Sequence, residues 1–185
     1  VYAPIDGIAH TVGYVRYPAK DPNGFYYQDK LEGVDGIERI FNERLSGKRG
    51  LKIVETNALG KVETESVIEP PIMGENLTLS VDSRVQSKLY NIIADLSSEI
   101  GFTGGAGIIM DIDNGEIIAS ASYPEYDSNI MSDRNNNTAI RKFLNDARKP
   151  FLNRVTDGLY TPGSIIKPFV ALAALNENVI DPKTK

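Results

Sequence analysis

Ser164 and Lys167 stand three residues apart, directly after the turn residues Pro162 and Gly163. On a helix, side chains at this spacing share one face, so the lysine amine can reach the serine hydroxyl. A serine hydroxyl becomes a strong nucleophile when a neighbouring base takes its proton, and a lysine can be that base if its surroundings lower its pKa. The pair therefore predicts nucleophilic catalysis by Ser164, with Lys167 as general base.

The same segment is predicted to begin a helix that runs from Ser164 through Leu175. The first backbone N–H groups of a helix have no helical partner, so they could stabilise a developing oxyanion. Pro168 fits this position, because a proline near a helix start gives up an N–H that would be unpaired anyway. The Ser-x-x-Lys spacing alone is weak, since serine is a favoured helix cap and lysine a common surface residue.

Two other segments resemble ligand-binding loops and fit them poorly. Asp111 to Glu116 has the start of a calcium loop, but its glycine comes one place early and Ser122 stands where the final glutamate is needed. Gly104 to Gly107 lacks the Gly-Lys-Ser/Thr that follows in a phosphate-binding loop. We predict a hairpin turn for the first and a flexible entry to a sheet for the second, with no metal and no cofactor.

The composition limits the chemistry further. The chain has 185 residues, no cysteine and one histidine, His10, so thiol chemistry is excluded and imidazole chemistry is severely limited. His10 lies in a predicted strand, where a structural hydrogen bond is the default for a histidine. The formal net charge of −5 offers no basic excess for phosphates, so nucleic acid is not an expected partner.

No apolar run is long enough to span a membrane, and nothing at Val1 resembles a secretion signal. If the protein is exported or anchored, we expect that segment to lie outside this chain.

The first part of the chain is predicted to be rich in strands with one helix. Ile8 to Tyr17 is expected to be a strand, and a helix capped by Asp35 should run to Leu45 and stop at Gly47. Leu51 to Thr56 and Lys61 to Ile68 flank Asn57-Ala58-Leu59-Gly60, which predicts a β-hairpin.

A domain boundary is predicted at Pro70 to Gly74, because neither Pro70 nor Pro71 can donate to a sheet ladder. It divides the chain into residues 1–73 and 74–185, which we call the first and second parts. The second part is predicted to contain, in order, a strand, an amphipathic helix, a hairpin with a two-residue Asn114-Gly115 loop, an exposed loop and a short helix. Their bounds are Leu77 to Val81, Val85 to Ile100, Ala106 to Ile112 with Glu116 to Ser122, Pro124 to Asn137, and Thr138 to Asp146. The helix should cover the hairpin, which gives an α+β fold class.

Several segments together resemble the class B penicillin-binding proteins, most closely the cell-elongation type. The matching segments are Ala9 to Val15, Gly36 to Gly47 with Gly50, Gly74 to Asp82 with Gln86, Asp111, Asn114 to Ala119, Ser122 to Pro124, Asn153-Arg154, and Gly158 to Ser164. The family usually has threonine at the place of Ser80. The Ser-x-x-Lys motif is itself a signature of this group.

The resemblance implies a non-catalytic, mainly β pedestal over residues 1–73 and the front of an α/β transpeptidase domain over residues 74–185. It implies that Ser164 attacks the D-Ala-D-Ala bond of a peptidoglycan stem peptide, that Lys167 takes its proton, and that the Ser164 N–H is one oxyanion donor. It also implies that β-lactams acylate the protein and that a membrane glycosyltransferase of the wall-elongation complex is its partner. The expected location is the outer face of a bacterial cell membrane, through an N-terminal anchor.

The chain departs from the family at two motifs. It contains no Ser-x-Asn, and Lys183-Thr184-Lys185 lacks the glycine of the family's Lys-Thr-Gly strand and lies too close to Ser164. We therefore expect this chain to be the front of a longer protein and to be inactive by itself.

Two other functions remain open from the sequence. A serine β-lactamase or penicillin sensor would share Ser164 and Lys167, although a strand-rich region before Pro70 is foreign to simple β-lactamases. A non-catalytic scaffold would use the pedestal to bind a cell-wall glycosyltransferase, with the serine incidental.

Overall fold

The fold combines helices with two-stranded antiparallel sheets, as seen in a computed structural model that describes residues 1–24, 26–28, 30–57, 59, 61–133 and 136–183. The elements are α1 Ala9–Val12, β1 Val15–Arg16, β2 Ala19–Lys20, β3 Tyr26–Gln28, β4 Glu32–Gly33, α2 Gly36–Ile40, α3 Asn42–Ser46, β5 Leu51–Thr56, β6 Val62–Glu69, α4 Ser83–Ile100, β7 Gly105–Met110, β8 Ile117–Tyr123, α5 Ser128–Ser132, α6 Asn137–Asn145, the 3-10 turn Gly163–Ile166 and α7 Lys167–Asn176. The pairs are β1 with β4, β2 with β3, β5 with β6, and β7 with β8. The predicted α+β class is confirmed.

The segment predicted as a strand over Ile8 to Tyr17 is instead the helical turn α1 followed by the short strand β1, so that prediction was wrong. Its burial does not alternate, because consecutive residues such as Ala9 and His10 are both buried. Gly13 ends the turn at a φ of 82°. A Cβ on Gly13 would lie 1.8 Å from the Asp35 carbonyl oxygen, so this close approach requires glycine.

The helix predicted from Asp35 to Leu45 is divided into α2 and α3 at Phe41, whose φ of −106° and ψ of 21° interrupt the helical geometry. The Asp35 side chain does not cap α2. Its Oδ2 accepts a hydrogen bond from the Tyr126 hydroxyl at 2.6 Å, so a distant residue takes the oxygen that was expected to cap. The predicted stop at Gly47 is confirmed by its φ of 62°.

The predicted hairpin of the first part is confirmed by β5 and β6, which pair with Leu51 opposite Glu69 and Glu55 opposite Thr64. The Asn57 Oδ1 accepts from the backbone N–H of Leu59 at 3.0 Å, which holds the turn. Ala58 and Gly60 of the predicted turn lie outside the described residues. All residues of both strands are exposed.

The strand predicted over Leu77 to Val81 does not form a ladder, so that prediction was wrong. The Ser80 hydroxyl donates to the Ile117 carbonyl at 2.8 Å, and the Asp82 backbone N–H donates to the Ile118 carbonyl at 3.0 Å. The helix predicted over Val85 to Ile100 is confirmed as α4. Its N-terminus is capped by the Asp82 carboxylate, which accepts from two backbone N–H groups of the first turn.

The predicted second hairpin is confirmed by β7 and β8, but its connection is longer than the two residues expected. The Asp111 N–H donates to the Glu116 carbonyl at 2.9 Å, which closes a loop over residues 112–115. Side chains favour this longer loop, because Asp111 accepts from the Asp113 N–H and Asn114 accepts from the Glu116 N–H.

The helix α4 covers the β7 and β8 hairpin as predicted. The glycines of β7 allow this approach, since a Cβ on Gly105 would lie 3.0 Å from Ile93 Cγ2 and one on Gly107 would lie 3.1 Å from Leu89 Cδ1. Gly104 precedes the sheet as predicted, but Gly105 to Gly107 lie within β7 and pack closely against α4, so the expected flexible entry was wrong for these residues.

The stretch from Pro124 to Asn137 was predicted to be an exposed loop, and that prediction was wrong. Pro124, Tyr126 and Ser128 are buried, and the Asp127 carboxylate caps the short helix α5. Arg134 and Asn135 lie outside the described residues. The short helix predicted after this stretch is confirmed as α6.

The aromatic core contains residues from both parts of the chain. Ala9 and Tyr14 come from the first part and Tyr126 from the second, and the Tyr126 ring stacks on Phe151 with centroids 5.3 Å apart. The predicted boundary at Pro70 to Gly74 falls in the connection between β6 and α4. In the part of the chain that the structure describes, no helix is long and apolar enough to cross a membrane.

Candidate functional site

Ser164 and Lys167 lie where two helical segments meet. Ser164 is the second residue of the 3-10 turn, and Lys167 is the first residue of α7. The turn begins at Gly163 with a φ of 58°, after Pro162 at a φ of −67°. In a 3-10 turn, side chains three residues apart eclipse each other. Both residues therefore lie in helical backbone, as predicted for a helix that begins at Ser164, but its first turn is a 3-10 turn and α7 begins only at Lys167.

The side-chain contact between the two residues is not made. Among the contacts of the described residues there is no hydrogen bond between the Ser164 hydroxyl and the Lys167 amine, and both residues are exposed. Catalytic hydrogen bonds are often long in a site without its substrate and tighten only when the complex forms. The roles assigned to Ser164 and Lys167 stay predictions.

The helix that carries Lys167 is apolar on all sides, yet it is exposed. The exposed fractions are 67% for Phe169, 59% for Val170 and 64% for Leu172. Ile165, in the preceding 3-10 turn, is 74% exposed. A helix that is hydrophobic all round is typical of a protein interior.

The segment that precedes the site is anchored by Arg154. The guanidinium of this buried residue donates to the carbonyls of Arg148, Lys149 and Leu152. Its backbone N–H donates to the Ser122 hydroxyl of β8 at 3.0 Å. These bonds connect the strand β8 to the chain ten residues before Ser164.

Gly104 contributes to the same arrangement, because a Cβ there would lie 2.6 Å from the Arg154 Nε. In the sequence, Arg154 stood out only because the Asn153-Arg154 pair resembles the class B penicillin-binding proteins. Its anchoring role could not be seen because its partners are backbone carbonyls.

His10 lies in α1 rather than in a strand, and it is buried against the edge of the Tyr126 ring at a centroid distance of 5.1 Å. Burial lowers the pKa of His10, and the ring makes a hydrogen bond with the Pro150 backbone. The predicted structural role fits this environment, because burial disfavours the charged imidazolium.

The loop from Asp111 to Glu116 is held by its own side chains, as expected for a hairpin turn. The Asp111 carboxylate accepts from the Asp113 N–H at 2.9 Å and from the Asn114 side chain at 3.3 Å. Within the described residues there is no group of three or more His, Cys, Asp or Glu side chains able to hold a metal.

A contact between the two parts of the chain was missed by the sequence reasoning. Gln86 on α4 donates from Nε2 to the Gly7 carbonyl and to the Ser120 carbonyl, and its Oε1 accepts from the Ser120 N–H at 2.8 Å. Glu125 accepts from the N–H groups of Gly7 and Ala9 at 2.6 and 2.9 Å. In the sequence, the contact was indicated only by Gln86, which belongs to the segments that resemble the class B penicillin-binding proteins.

Two protein-family models match the chain. One describes the penicillin-binding protein dimerisation domain and matches residues 1–79, and the other describes the penicillin-binding protein transpeptidase domain and matches residues 105–185. Ser164 and Lys167 lie within the second match.

Curated relatives match along most of the chain. The peptidoglycan D,D-transpeptidase MrdA of Haemophilus influenzae is 33% identical over 96% of this chain, and MrdA of Escherichia coli K12 is 31% identical over 96%. The peptidoglycan D,D-transpeptidase FtsI of Escherichia coli K12 is 28% identical over 93% of the chain. The chain spans 28% of the length of both MrdA relatives and 25% of FtsI.

Solved structures of similar proteins agree in fold. The complex between Penicillin-Binding Protein (PBP2) and MreC from Helicobacter pylori matches with a TM-score of 0.71 and 32% identity, over 99% of this chain and 34% of that one. PBP2 of Pseudomonas aeruginosa, in complex with WCK 5153, matches with a TM-score of 0.69 and 32% identity, over 97% of this chain and 34% of that one.

Proposed function

Because this chain belongs to the class B penicillin-binding proteins of the elongation type, we propose that it is the pedestal and the front of the transpeptidase domain of a peptidoglycan D,D-transpeptidase. The proposed division is into residues 1–73 and 74–185. The observation that carries the proposal is the placement of Ser164 in the 3-10 turn and of Lys167, three residues later, at the start of α7, within the transpeptidase match.

In the proposed reaction, the Ser164 Oγ attacks the carbonyl between the two terminal D-alanines of a stem peptide. The hydroxyl proton passes to the Lys167 amine, and the oxyanion of the tetrahedral intermediate is stabilised by the Ser164 backbone N–H. The intermediate collapses by breaking the bond to the terminal D-alanine, whose amine takes the proton back from Lys167. This leaves the stem peptide joined to the Ser164 Oγ as an ester. An amine on a neighbouring stem peptide then attacks the ester carbonyl and forms an amide. The bond to Oγ breaks, and a proton from the amine restores the Ser164 hydroxyl.

A β-lactam would acylate the same oxygen, with its opened ring nitrogen in place of the departing amine. A complex of the related PBP2 of Pseudomonas aeruginosa with WCK 5153 is consistent with a small-molecule site in such proteins. We propose an extracytoplasmic location at a bacterial membrane, where stem peptides are cross-linked, with a membrane glycosyltransferase as partner.

The activity is testable by the release of D-alanine from a synthetic peptide that ends in D-Ala-D-Ala. The polypeptide to assay continues this chain through a complete transpeptidase domain. We expect release that Ser164→Ala abolishes and that Ser46→Ala, a matched change at another exposed serine, leaves unchanged. Equal release by the parent and Ser164→Ala would overturn the proposal.

A second candidate is a scaffold in which the pedestal binds a partner and the serine is incidental. The β5 and β6 hairpin favours it, because all residues of its two strands are exposed, including Ile53 at 51% and Val67 at 64%. The related PBP2 of Helicobacter pylori was solved in complex with MreC. In the scaffold case, Ser164→Ala would retain partner binding and wall growth, whereas Ile53→Asp with Val67→Asp would lose both. A β-lactamase function is disfavoured by the dimerisation-domain match over residues 1–79.

A further inference from the structure

Arg154 and Ser122 together form a clamp that holds the loop containing Arg154 against strand β8. The Ser122 hydroxyl donates to the Leu152 carbonyl at 3.1 Å and accepts from the Arg154 N–H at 3.0 Å. The Arg154 guanidinium donates to three carbonyls of the same loop, those of Arg148, Lys149 and Leu152. Both clamp side chains are buried, so water competes little for these bonds.

The buried guanidinium has no carboxylate as its partner. In the part of the chain that the structure describes, no Asp or Glu forms an ion pair with Arg154, and its side-chain hydrogen bonds go to backbone carbonyls. A buried cation without a counter-ion is costly, so a residue needed only for packing would be apolar. The planar fork of arginine reaches several acceptors at fixed angles, which the single ammonium of lysine cannot do. Arginine is therefore suited to this position by the shape that it gives to the loop.

The loop conformation held by Arg154 is strained at Lys149. This residue has a φ of 53°, in the left-handed region that a residue with a Cβ rarely adopts. Such a conformation persists only where its surroundings hold it. Here Arg154 donates to the Lys149 carbonyl, and the next residue, Pro150, is fully buried. The clamp thus maintains a backbone shape of the kind that clusters at functional sites.

The chain stays compact after the clamp. The Asp157 N–H donates to the Asn153 carbonyl at 2.8 Å, which closes a turn around Arg154. Gly158 packs against this turn, because a Cβ there would lie 2.6 Å from the Arg154 carbonyl oxygen and 2.8 Å from the Tyr160 hydroxyl. The shape set at the clamp therefore reaches as far as Tyr160.

The turn that carries Ser164 has no other hydrogen-bonded attachment to the rest of the described chain. Residues 158–180, all of which the structure describes, make no hydrogen bond and no ion pair with any described residue before Arg154. Ile165 and Phe169, which follow Ser164, are exposed, so packing holds this segment little. The position of the Ser164 N–H and hydroxyl relative to β8 is therefore set through the loop that Arg154 holds.

We propose that Arg154 and Ser122 are positioning residues for the acylation of Ser164, because they fix the backbone from which its 3-10 turn starts. This inference rests on the proposed transpeptidase function. A displaced turn would move the Ser164 Oγ away from the scissile carbonyl and the Ser164 N–H away from the developing oxyanion. A misplacement of about 1 Å, caused by a change remote from the chemistry, can cost about 10²-fold in rate.

Release of D-alanine from a synthetic D-Ala-D-Ala peptide tests the inference, in a polypeptide that continues this chain through a complete transpeptidase domain. We expect Ser122→Ala to lower kcat by roughly 10- to 100-fold and to change KM by less than about 3-fold. Arg154→Lys should retain more of kcat than Arg154→Met, because lysine keeps the charge and a donor. If neither Arg154 variant folds, Ser122→Ala keeps the test decisive.

Gly115→Ala is the matched control for a general loss of stability. It strains the same β7 and β8 hairpin through its φ of 80°, with nothing within 4 Å of the new Cβ. We expect its kcat to equal that of the parent. Equal kcat values for Ser122→Ala and Gly115→Ala, in a polypeptide that is active through Ser164, would overturn the inference while leaving the proposed function intact.

The ¹⁵N relaxation of the Ser164 amide in the 185-residue chain is a second measurement that does not depend on activity. We expect an order parameter near about 0.85 in the parent and in Gly115→Ala, and below about 0.6 in Ser122→Ala. An amide that is equally ordered in all three proteins would overturn the inference. If the parent releases no D-alanine, the proposed function fails, and this measurement still decides whether the clamp orders Ser164.

Discussion

The Tyr126 hydroxyl donates to the Asp35 carboxylate at 2.6 Å and lies 3.1 Å from the Ala9 carbonyl oxygen, so one phenol of the second part holds two elements of the first. The Tyr126 ring is 2% exposed and packs edge-on against His10 and Tyr14. This residue joins the two parts by both packing and hydrogen bonding.

Tyr126→Phe tests the hydrogen bonds without changing the packing. We expect the free energy of unfolding to fall by about 1–3 kcal/mol, because the partly buried Asp35 carboxylate loses its hydrogen-bond donor. Urea unfolding measures the change. Tyr160→Phe, at a residue that is 65% exposed, is the matched control and should stay within about 0.5 kcal/mol of the parent. Equal small effects for both variants would contradict this account of Tyr126.

Gly13→Ala tests the close approach of α1 to Asp35. The new Cβ would meet the Asp35 carbonyl oxygen at 1.8 Å, and the φ of 82° adds backbone strain. We expect a loss of about 3 kcal/mol or more, or failure to fold. Gly115→Ala carries a similar φ of 80° with nothing within 4 Å, so it isolates the strain, about 1–2 kcal/mol, in thermal unfolding. If both substitutions cost the same, the backbone contact is not what requires glycine at position 13.

Ser164→Ala should leave the stability of the 185-residue chain almost unchanged. The side chain is exposed, and the structure gives its hydroxyl no capping bond, so the expected change in free energy of unfolding is within about 0.5 kcal/mol. Chemical denaturation measures it. A loss above about 1 kcal/mol would mean that Ser164 has a structural role, and the loss of activity in this variant could not then be assigned to chemistry.

Elements whose pattern is local could be predicted from the sequence. Helix α4 has a capping Asp82, an apolar stripe and a stop at Gly101, and the two longer hairpins have turn residues between apolar runs. The same holds for the helical turn at Ser164, because Pro162 and Gly163 introduce it locally.

Elements governed by distant partners could not be predicted in this way. Asp35 has the sequence of a helix cap, but Tyr126, 91 residues away, takes its carboxylate. The stretch after Pro124 is polar, yet it is buried because Glu125 and Tyr126 bind the backbone around Ala9. Leu77 to Val81 has a strand pattern, but its bonds to β8 are made by the Ser80 side chain and by Asp82.

The central claim, that Ser164 is the nucleophile and Lys167 its base, is tested most directly by mapping a covalent penicillin adduct by mass spectrometry. In a polypeptide that continues this chain through a complete transpeptidase domain, we predict one acyl group per chain, located on Ser164. Lys167→Ala should slow its formation by roughly 10²–10⁴-fold, through loss of the base. The 185-residue chain by itself should label little, since removing one oxyanion donor alone costs about 10²–10³ in rate. An adduct that persists undiminished in Ser164→Ala, or that maps to another residue, would contradict the account.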